Sequence, residues 1–389
     1  MRPILISFVF GTRPELVKLA PLILAAQADA RFAVEVVFTA QHDELVRDAI
    51  GFFGIHIDHR LDMMQEGQSL TQLLARGLQQ IERVYADGRK RDVVVVQGDT
   101  TTVLAASLVA FAHKIALAHV EAGLRSFDLE HPFPEEGNRQ LVSRLAHWHF
   151  APTPLSARNL ENEGVAGERI LVTGNTVVDA VHWARQRLSQ PGAESAQAVL
   201  SALGLPLTGQ ERLVLVTAHR RENFGEGIRH ICDAVARLVQ THENLHVVWP
   251  VHLNPAVRDV VRQSLGDNAR VHLLPPLNYP QLMAVLQSSH FALTDSGGIQ
   301  EECPSFGKPV LILRTTTERP EVVQAGAGRL VGTDADLIVH EAGRLLDDAE
   351  HFAHMAGAEN PFGDGRASLR ILERIATDVC TGVPPQALM

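Results

Sequence analysis

Cysteine is scarce: the 389 residues hold three, at positions 232, 303 and 380. Spaced so widely, they form no CxxC pair and no disulfide framework, which fits a reducing compartment. Long apolar runs are missing too. The opening run has seven apolar or small residues, from Ile4 to Phe10. That is too short for a signal core or a membrane span, and it reads as a buried strand. A cytoplasmic protein with no membrane partner is therefore expected. Positive charge is outnumbered, 35 Lys and Arg against 45 Asp and Glu, for a net charge of −10. This argues against non-specific nucleic-acid binding. No GxSxG elbow occurs, so serine-nucleophile chemistry has no support, and no metal site is expected. No GxGxxG follows the first strand, which argues against a dinucleotide cofactor. Low-complexity segments and repeats are absent beyond a βα alternation.

That alternation is what the sequence has in abundance. Short apolar runs at 4–10, 33–39, 92–97, 115–120 and 170–173 form one set of candidate strands. A second set lies at 212–217, 245–249, 270–274, 290–294, 309–313 and 328–332. Helical patterns such as 15–27 and 101–112 separate them. Near-continuous β-branched runs with helices between them mean parallel strands buried on both faces. The class is α/β, doubly wound, occurring twice, and the length is too great for a single core. The seam falls in 174–211, where "SQPGAESAQ" is small, polar and unpatterned. The expected domains are 1–173 and 174–365, with a C-terminal helix in 366–389 packing back on the first.

Ligands of open parallel sheets bind beyond the carboxyl ends of the strands. Six polar motifs fall there: GTRPE, QGDTTT, EAGLRS, AHRREN, PVHLNP and DSGGIQEE. Ordinary βα-loop polarity is the alternative for any one of them. In DSGGIQEE, the glycines let backbone N–H groups approach an anion, and Ser296 adds a hydroxyl. No lysine follows, as it would in a triphosphate loop. Glu301 and Glu302 follow instead, and a carboxylate suits the vicinal hydroxyls of a ribose. A nucleoside diphosphate fits this stretch; a helix N-cap at Ser296 with ordinary first-turn acids fits it equally well. In GTRPELVK, Arg13 and Lys18 bring cations to the same region, a helix cap with a surface arginine being the alternative. His219, Arg220 and Arg221 end a strand and can hold a departing diphosphate. Asp99, Glu121, Glu135 and Glu136, with Arg125 and Arg139 near them in sequence, supply carboxylates that can divide acid and base roles. Asp99 also reads as a helix N-cap, whereas an unpaired Glu121 at the end of a buried strand would be costly. His147 and His149, flanking Trp148 on a strand-like run after a helix, read as packing.

GTRPE, QGDTTT, HVEAGLRS, PFPEEGNR, VTGNTVVDA, HRREN, PVHLNP, DSGGIQEE, GKPVL and TTERPE occur in this order. The ordered set, over about 4 to 365, resembles the non-hydrolysing UDP-N-acetylglucosamine 2-epimerases. The resemblance implies a GT-B-like fold of two Rossmann-like domains, with the active site between them. It implies reversible C2 epimerisation to UDP-N-acetylmannosamine through loss and return of UDP, in a homodimer without metal or nicotinamide. Carried over by motif, Asp99, Glu121 and Glu135 become the acid/base groups. His219, Arg13, Ser296, Gly297 and Gly298 contact diphosphate, Glu302 the ribose, and Lys18 and Arg319 line the pocket. In some members the UDP-sugar also acts as an activator beside the active site; the matching positions are Gln41, Gln65, Gln68, Arg220 and His252. Three positions depart from the usual pattern: Phe127, His131 and Cys303. The first two lie in a loop expected near the sugar, which leaves related 2,3-diacetamido sugars or uronic acids open as substrates. A retaining GT-B glycosyltransferase would share the nucleotide site but need an acceptor groove, and a sensor would bind without turnover.

Overall fold

The computed structural model describes residues 2–39, 44–65, 67–192, 195–205 and 209–382. The chain divides into two compact units. The first runs up to Ala180 and resumes at Phe362; the second is Val181–Pro361.

Among the described residues the first unit holds seven parallel strands: β1 (Ile4–Phe10), β2 (Phe32–Phe38), β3 (His59–Arg60), β4 (Val93–Gln97), β5 (Ala116–Val120), β6 (Trp148–Ala151) and β7 (Ile170–Val172). Their order is β3-β2-β1-β4-β5-β6-β7. The second unit repeats the scheme with β8 (Arg212–Thr217), β9 (Leu245–Pro250), β10 (Val271–Leu274), β11 (Ser289–Thr294), β12 (Val310–Ile312) and β13 (Gly328–Leu330), ordered β10-β9-β8-β11-β12-β13. Every pairing is parallel, with helices between successive strands. The doubly wound α/β expectation holds in both units.

Composition explains why these segments are strands. All five residues of β4, Val93–Gln97, are buried, as the central strand of a sheet covered on both faces requires. Val94, Val96, Val9 and Val37 pack against Ile81, Val84 and Val103 of the covering helices. In the second unit Val214, Val216, Trp249, Phe291 and Leu311 form the matching core. Each such side chain contributes about 2–3 kcal/mol by burial. Two strands stand outside the candidate sets above, β3 altogether and β6 as no more than a strand-like run around Trp148. β3 is two residues long, too short to leave a pattern. β6, WHFA, is interrupted by a histidine that the fold buries all the same.

Helix Thr176–Leu188 runs unbroken through the boundary at Ala180. The C-terminal helix Ala367–Cys380 belongs to the first unit. Asp179 caps it, accepting from the backbone N–H groups of Ala367 (3.2 Å) and Ser368 (2.8 Å). Burial pushes the Asp179 carboxyl above its usual range, with those donors opposing. Trp148 Nε1 donates to Asp378 at 2.7 Å on the same helix. Among the described residues, no helix is long and apolar enough to cross a membrane.

Candidate active site

All six polar motifs follow strand ends. The order of each sheet reverses between its first and fourth strands in sequence, β1 and β4 in one unit, β8 and β11 in the other. The loops leaving these four strands flank the two switch points where such sheets bind ligands.

In the first unit the β1 turn is built around Gly11. A Cβ there would stand 2.5 Å from Oγ1 of both Thr39 and Thr102. Thr12 and Glu15 then form a capping box on helix Arg13–Gln27. The buried Glu15 carboxylate accepts from the N–H groups of Gly11 and Thr12, and from the hydroxyls of Thr12 and Thr100. Glu15 thereby ties the β1 turn to the β4 turn. Burial raises its carboxyl above the usual range, and the hydroxyl and N–H donors offset part of that.

This helix carries Lys18, whose ammonium meets the Glu121 carboxylate in an ion pair nearly closed to solvent. Glu121 has φ +64°, the left-handed region that costs a non-glycine residue about 1 kcal/mol or more. Asn175 Nδ2 donates to the same Oε2 at 2.8 Å. Asp99 leaves the neighbouring strand. Gln97 pairs in register with Val120, and Gly98 N donates to Val120 O at 3.1 Å. The N-cap of the following helix is Thr100, not Asp99, so the capping alternative for Asp99 falls. The Asp99 side chain instead receives Arg139, at 2.8 Å from Nε and 2.7 Å from Nη2. Asn138 Nδ2 donates to Asp99 O at 2.8 Å. His119, fully buried on β5, donates from Nε2 to Gly98 O at 2.7 Å. Burial pushes its imidazole down to about 4 against that bond.

Glu135 opens helix Glu135–Leu145, half-buried, with Glu136 buried beside it. Burial raises the Glu136 carboxyl, but the Ser126 N–H, Gln140 and Arg139 outweigh it and hold it below the usual range. Arg125 turns away to Glu163 (2.6 Å) and Ser143 (2.7 Å). Arg13 is half-buried at the start of its helix. Phe127 and His131 are exposed, His131 beside Asp128 at 3.1 Å. His147 accepts the Leu117 N–H on Nδ1, and His149 is fully buried.

In the second unit Asp295 organises the loops. It is fully buried at the end of β11, and Oδ2 accepts from the N–H groups of His219 and Arg220 (2.8 Å each) and from Asn223 Nδ2 (3.0 Å). Its Oδ1 lies 3.6 Å from His219 Nδ1. Asp295 thus joins the β8 loop to the Ser296-Gly297-Gly298 turn. Ser296 occupies the N-cap position but makes no side-chain cap bond, leaving its hydroxyl outside the helix's own hydrogen bonding. The Arg319 guanidinium lies over Gly297, where an added Cβ would stand 3.3 Å from Cζ. Arg319 Nε donates to Glu301 at 2.8 Å. Of the two glutamates, Glu301 is therefore taken up by Arg319, while Glu302 is buried at the helix end.

Of the activator positions, Gln41 lies outside the described residues. Gln65 and Gln68 line a cavity of about 420 Å³ in the first unit with Gln72, Arg76 and Gln79. Arg220 and His252 belong to the second unit, where the His252 ring lies 6.0 Å from that of His219. The letters HENLH at 242–246, which the sequence reading passed over, spell a zinc-peptidase spacing, which needs one helix to set both histidines on one face. Here helix Glu226–Thr241 has ended and β9 begins at Leu245. His242 bonds Asp347 and His246 bonds His272. Among the described residues no cluster of three metal-ligating side chains forms.

Sequence reasoning missed Asn175 and Asp295 as site residues. Their signal was present: each is a lone polar residue set against an apolar run, in VTGNTVV and FALTDSGG.

The family model for UDP-N-acetylglucosamine 2-epimerase matches residues 24–376. The chain is 47% identical to the UDP-N-acetylglucosamine 2-epimerase of Salmonella typhimurium, over 94% of this chain and 97% of the relative. It is 48% identical to that of Escherichia coli K12 over the same shares. The crystal structure of the Neisseria meningitidis UDP-GlcNAc 2-epimerase bound to UDP-GlcNAc superposes with a TM-score of 0.88 at 42% identity, covering 96% of this chain and all of that one. The two Rossmann-like units are those of a GT-B-like fold, and the chain belongs to the UDP-N-acetylglucosamine 2-epimerase family.

Proposed function

We propose that the protein reversibly inverts C2 of UDP-N-acetylglucosamine, giving UDP-N-acetylmannosamine, through elimination and re-addition of UDP. The C2 proton has no neighbouring carbonyl to acidify it, so direct removal is unfavourable. Elimination avoids that barrier. The C2–H bond breaks and its proton passes to a carboxylate. Its electron pair forms the C1–C2 double bond of a 2-acetamidoglucal, and the C1–O bond breaks with its pair going to UDP. UDP then adds back to C1 as a proton reaches C2 on the opposite face.

The observation that carries this reading is the placement of Asp99 and Glu121 at neighbouring strand ends, each fixed by a cation. Two carboxylates are what proton removal and delivery on two faces require. Glu135, at the head of its helix, is a third. The second unit supplies the electrostatics for a departing diphosphate: the Ser296–Gly298 turn, Arg319, and the His219–Arg220 loop braced by Asp295. Arg13 and Lys18 add positive charge from the first unit, and Glu302 takes the ribose. A homodimer, and activation by a second UDP-sugar near Gln65, Gln68, Arg220 and His252, belong to the same reading.

The test is NMR of the protein with UDP-N-acetylglucosamine in heavy water, with no acceptor. A second UDP-sugar bearing deuterium at C2 is expected. Free sugar plus UDP would indicate hydrolysis. An unlabelled product would indicate hydride transfer, and no product without an acceptor would favour a glycosyltransferase or a sensor.

A further inference from the structure

Among the described residues Glu121 is held on one oxygen only. Lys18 Nζ and Asn175 Nδ2 both donate to Oε2, and among the described residues no donor reaches Oε1. The orientation of the Asn175 amide is set independently. Its Oδ1 accepts the Val177 N–H at 3.0 Å, so the NH₂ group is the end that faces Glu121. The Asn175 backbone is fixed as well. Its N–H donates to Phe362 O at 2.7 Å. Gly174, at φ +85°, lies so close to the returning chain that an added Cβ would stand 3.1 Å from Phe362 O. Asn175 is 3% exposed and sits just before the helix that leaves the first unit. The only charged group in contact with the Glu121 carboxylate among the described residues is Lys18.

A capping asparagine does not need its amide NH₂ aimed at a carboxylate, and a lysine already neutralises Glu121. The second donor restricts where Oε2 can go. We propose that Asn175 is a positioning residue that, with Lys18, immobilises Oε2 of Glu121 so that Oε1 is the oxygen that takes and returns the C2 proton. This rests on the epimerase reading above. The left-handed backbone of Glu121 points the same way: a carboxylate placed at a conformational cost is one whose direction matters.

The test contrasts Asn175→Asp with Asn175→Ala. Aspartate keeps the size and the cap on Val177 but turns an oxygen towards Oε2; alanine loses the cap but adds no repulsion. Positioning predicts that kcat falls about ten-fold or more in both, lower in N175D than in N175A, with KM for UDP-N-acetylglucosamine within about two-fold of wild type. A merely structural cap predicts the reverse order, with N175D the more active, and that result would overturn the proposal. A second measurement needs no variant at position 175 and no turnover. The Asn175 side-chain NH₂ resonances should shift in Glu121→Gln relative to wild type, and unchanged resonances would refute the contact. If the wild-type protein makes no second UDP-sugar while the resonances do shift, the epimerase reading fails and the Asn175–Glu121 contact stands.

Discussion

Lys18 and Glu121, 103 residues apart in the chain, form an ion pair with side chains only 11% and 8% exposed. The pair closes because the capping box at Thr12 and Glu15 sets the direction of the helix that carries Lys18, while the left-handed turn at Glu121 brings its carboxylate to meet it. A buried pair of this kind is costly to break from one side. Replacing Lys18 with Met leaves the carboxylate without its cation and should destabilise the protein by about 3 kcal/mol. Denaturant unfolding measures this, and an unchanged midpoint would contradict the pairing. Glu121→Gln removes the proposed proton acceptor and should lower turnover by at least about two orders of magnitude, with UDP affinity in calorimetry retained.

Asp99 and Arg139 pose a different question, because this pair is partly open to solvent, Asp99 at 23%. Its stability contribution is correspondingly small. Asp99→Asn should therefore melt near the wild-type temperature and yet lose about two orders of magnitude in rate. Wild-type turnover in that variant would remove Asp99 from the proton chemistry.

One buried Asp295 oxygen, Oδ2, accepts both backbone N–H groups of the His219–Arg220 loop. Asp295→Ala leaves two backbone donors and the Asn223 amide without their acceptor, at a cost of about 3 kcal/mol in stability. The loop it braces should also bind UDP about ten-fold or more weakly. Calorimetric titration with UDP checks this, and an affinity equal to wild type would show that the loop holds itself.

His119 gives the protein an acid sensitivity. Buried and neutral, its imidazole is pushed down to about 4 from an ordinary 6.5. Between those values the unfolded chain binds a proton that the folded chain does not, so stability falls as pH drops through this window and levels off below it. The loss amounts to about 3 kcal/mol. His149 is also held well below its ordinary value, by burial first and by His119 next, and it acts with the same sign. Urea unfolding at pH 7, 5.5 and 4 should show a flatter dependence in His119→Gln than in wild type. Parallel curves would mean that His119 is not the group responsible.

The amino-acid sequence by itself determined the two doubly wound α/β units and the strand ends that carry the polar motifs. Hydrophobic periodicity and β-branched runs are local signals, and burial on both faces of a parallel sheet writes them directly into the chain. Asp99, Glu121, His219 and Ser296 were legible for the same reason: each is polar at the point where an apolar run stops. Only tertiary structure decided what these groups touch. That Thr100 caps the helix and frees Asp99 for Arg139, that Glu301 is occupied by Arg319, and that Asn175 shares Glu121 with Lys18 are contacts between residues 18 to 103 positions apart or set by one-residue shifts of register. No local pattern encodes such distances. They follow from strand order, which places β4 and β5 side by side and brings the start of helix Thr176–Leu188 to the end of β5. Burial then selects the partner, because a charge removed from water must find its counterpart within reach.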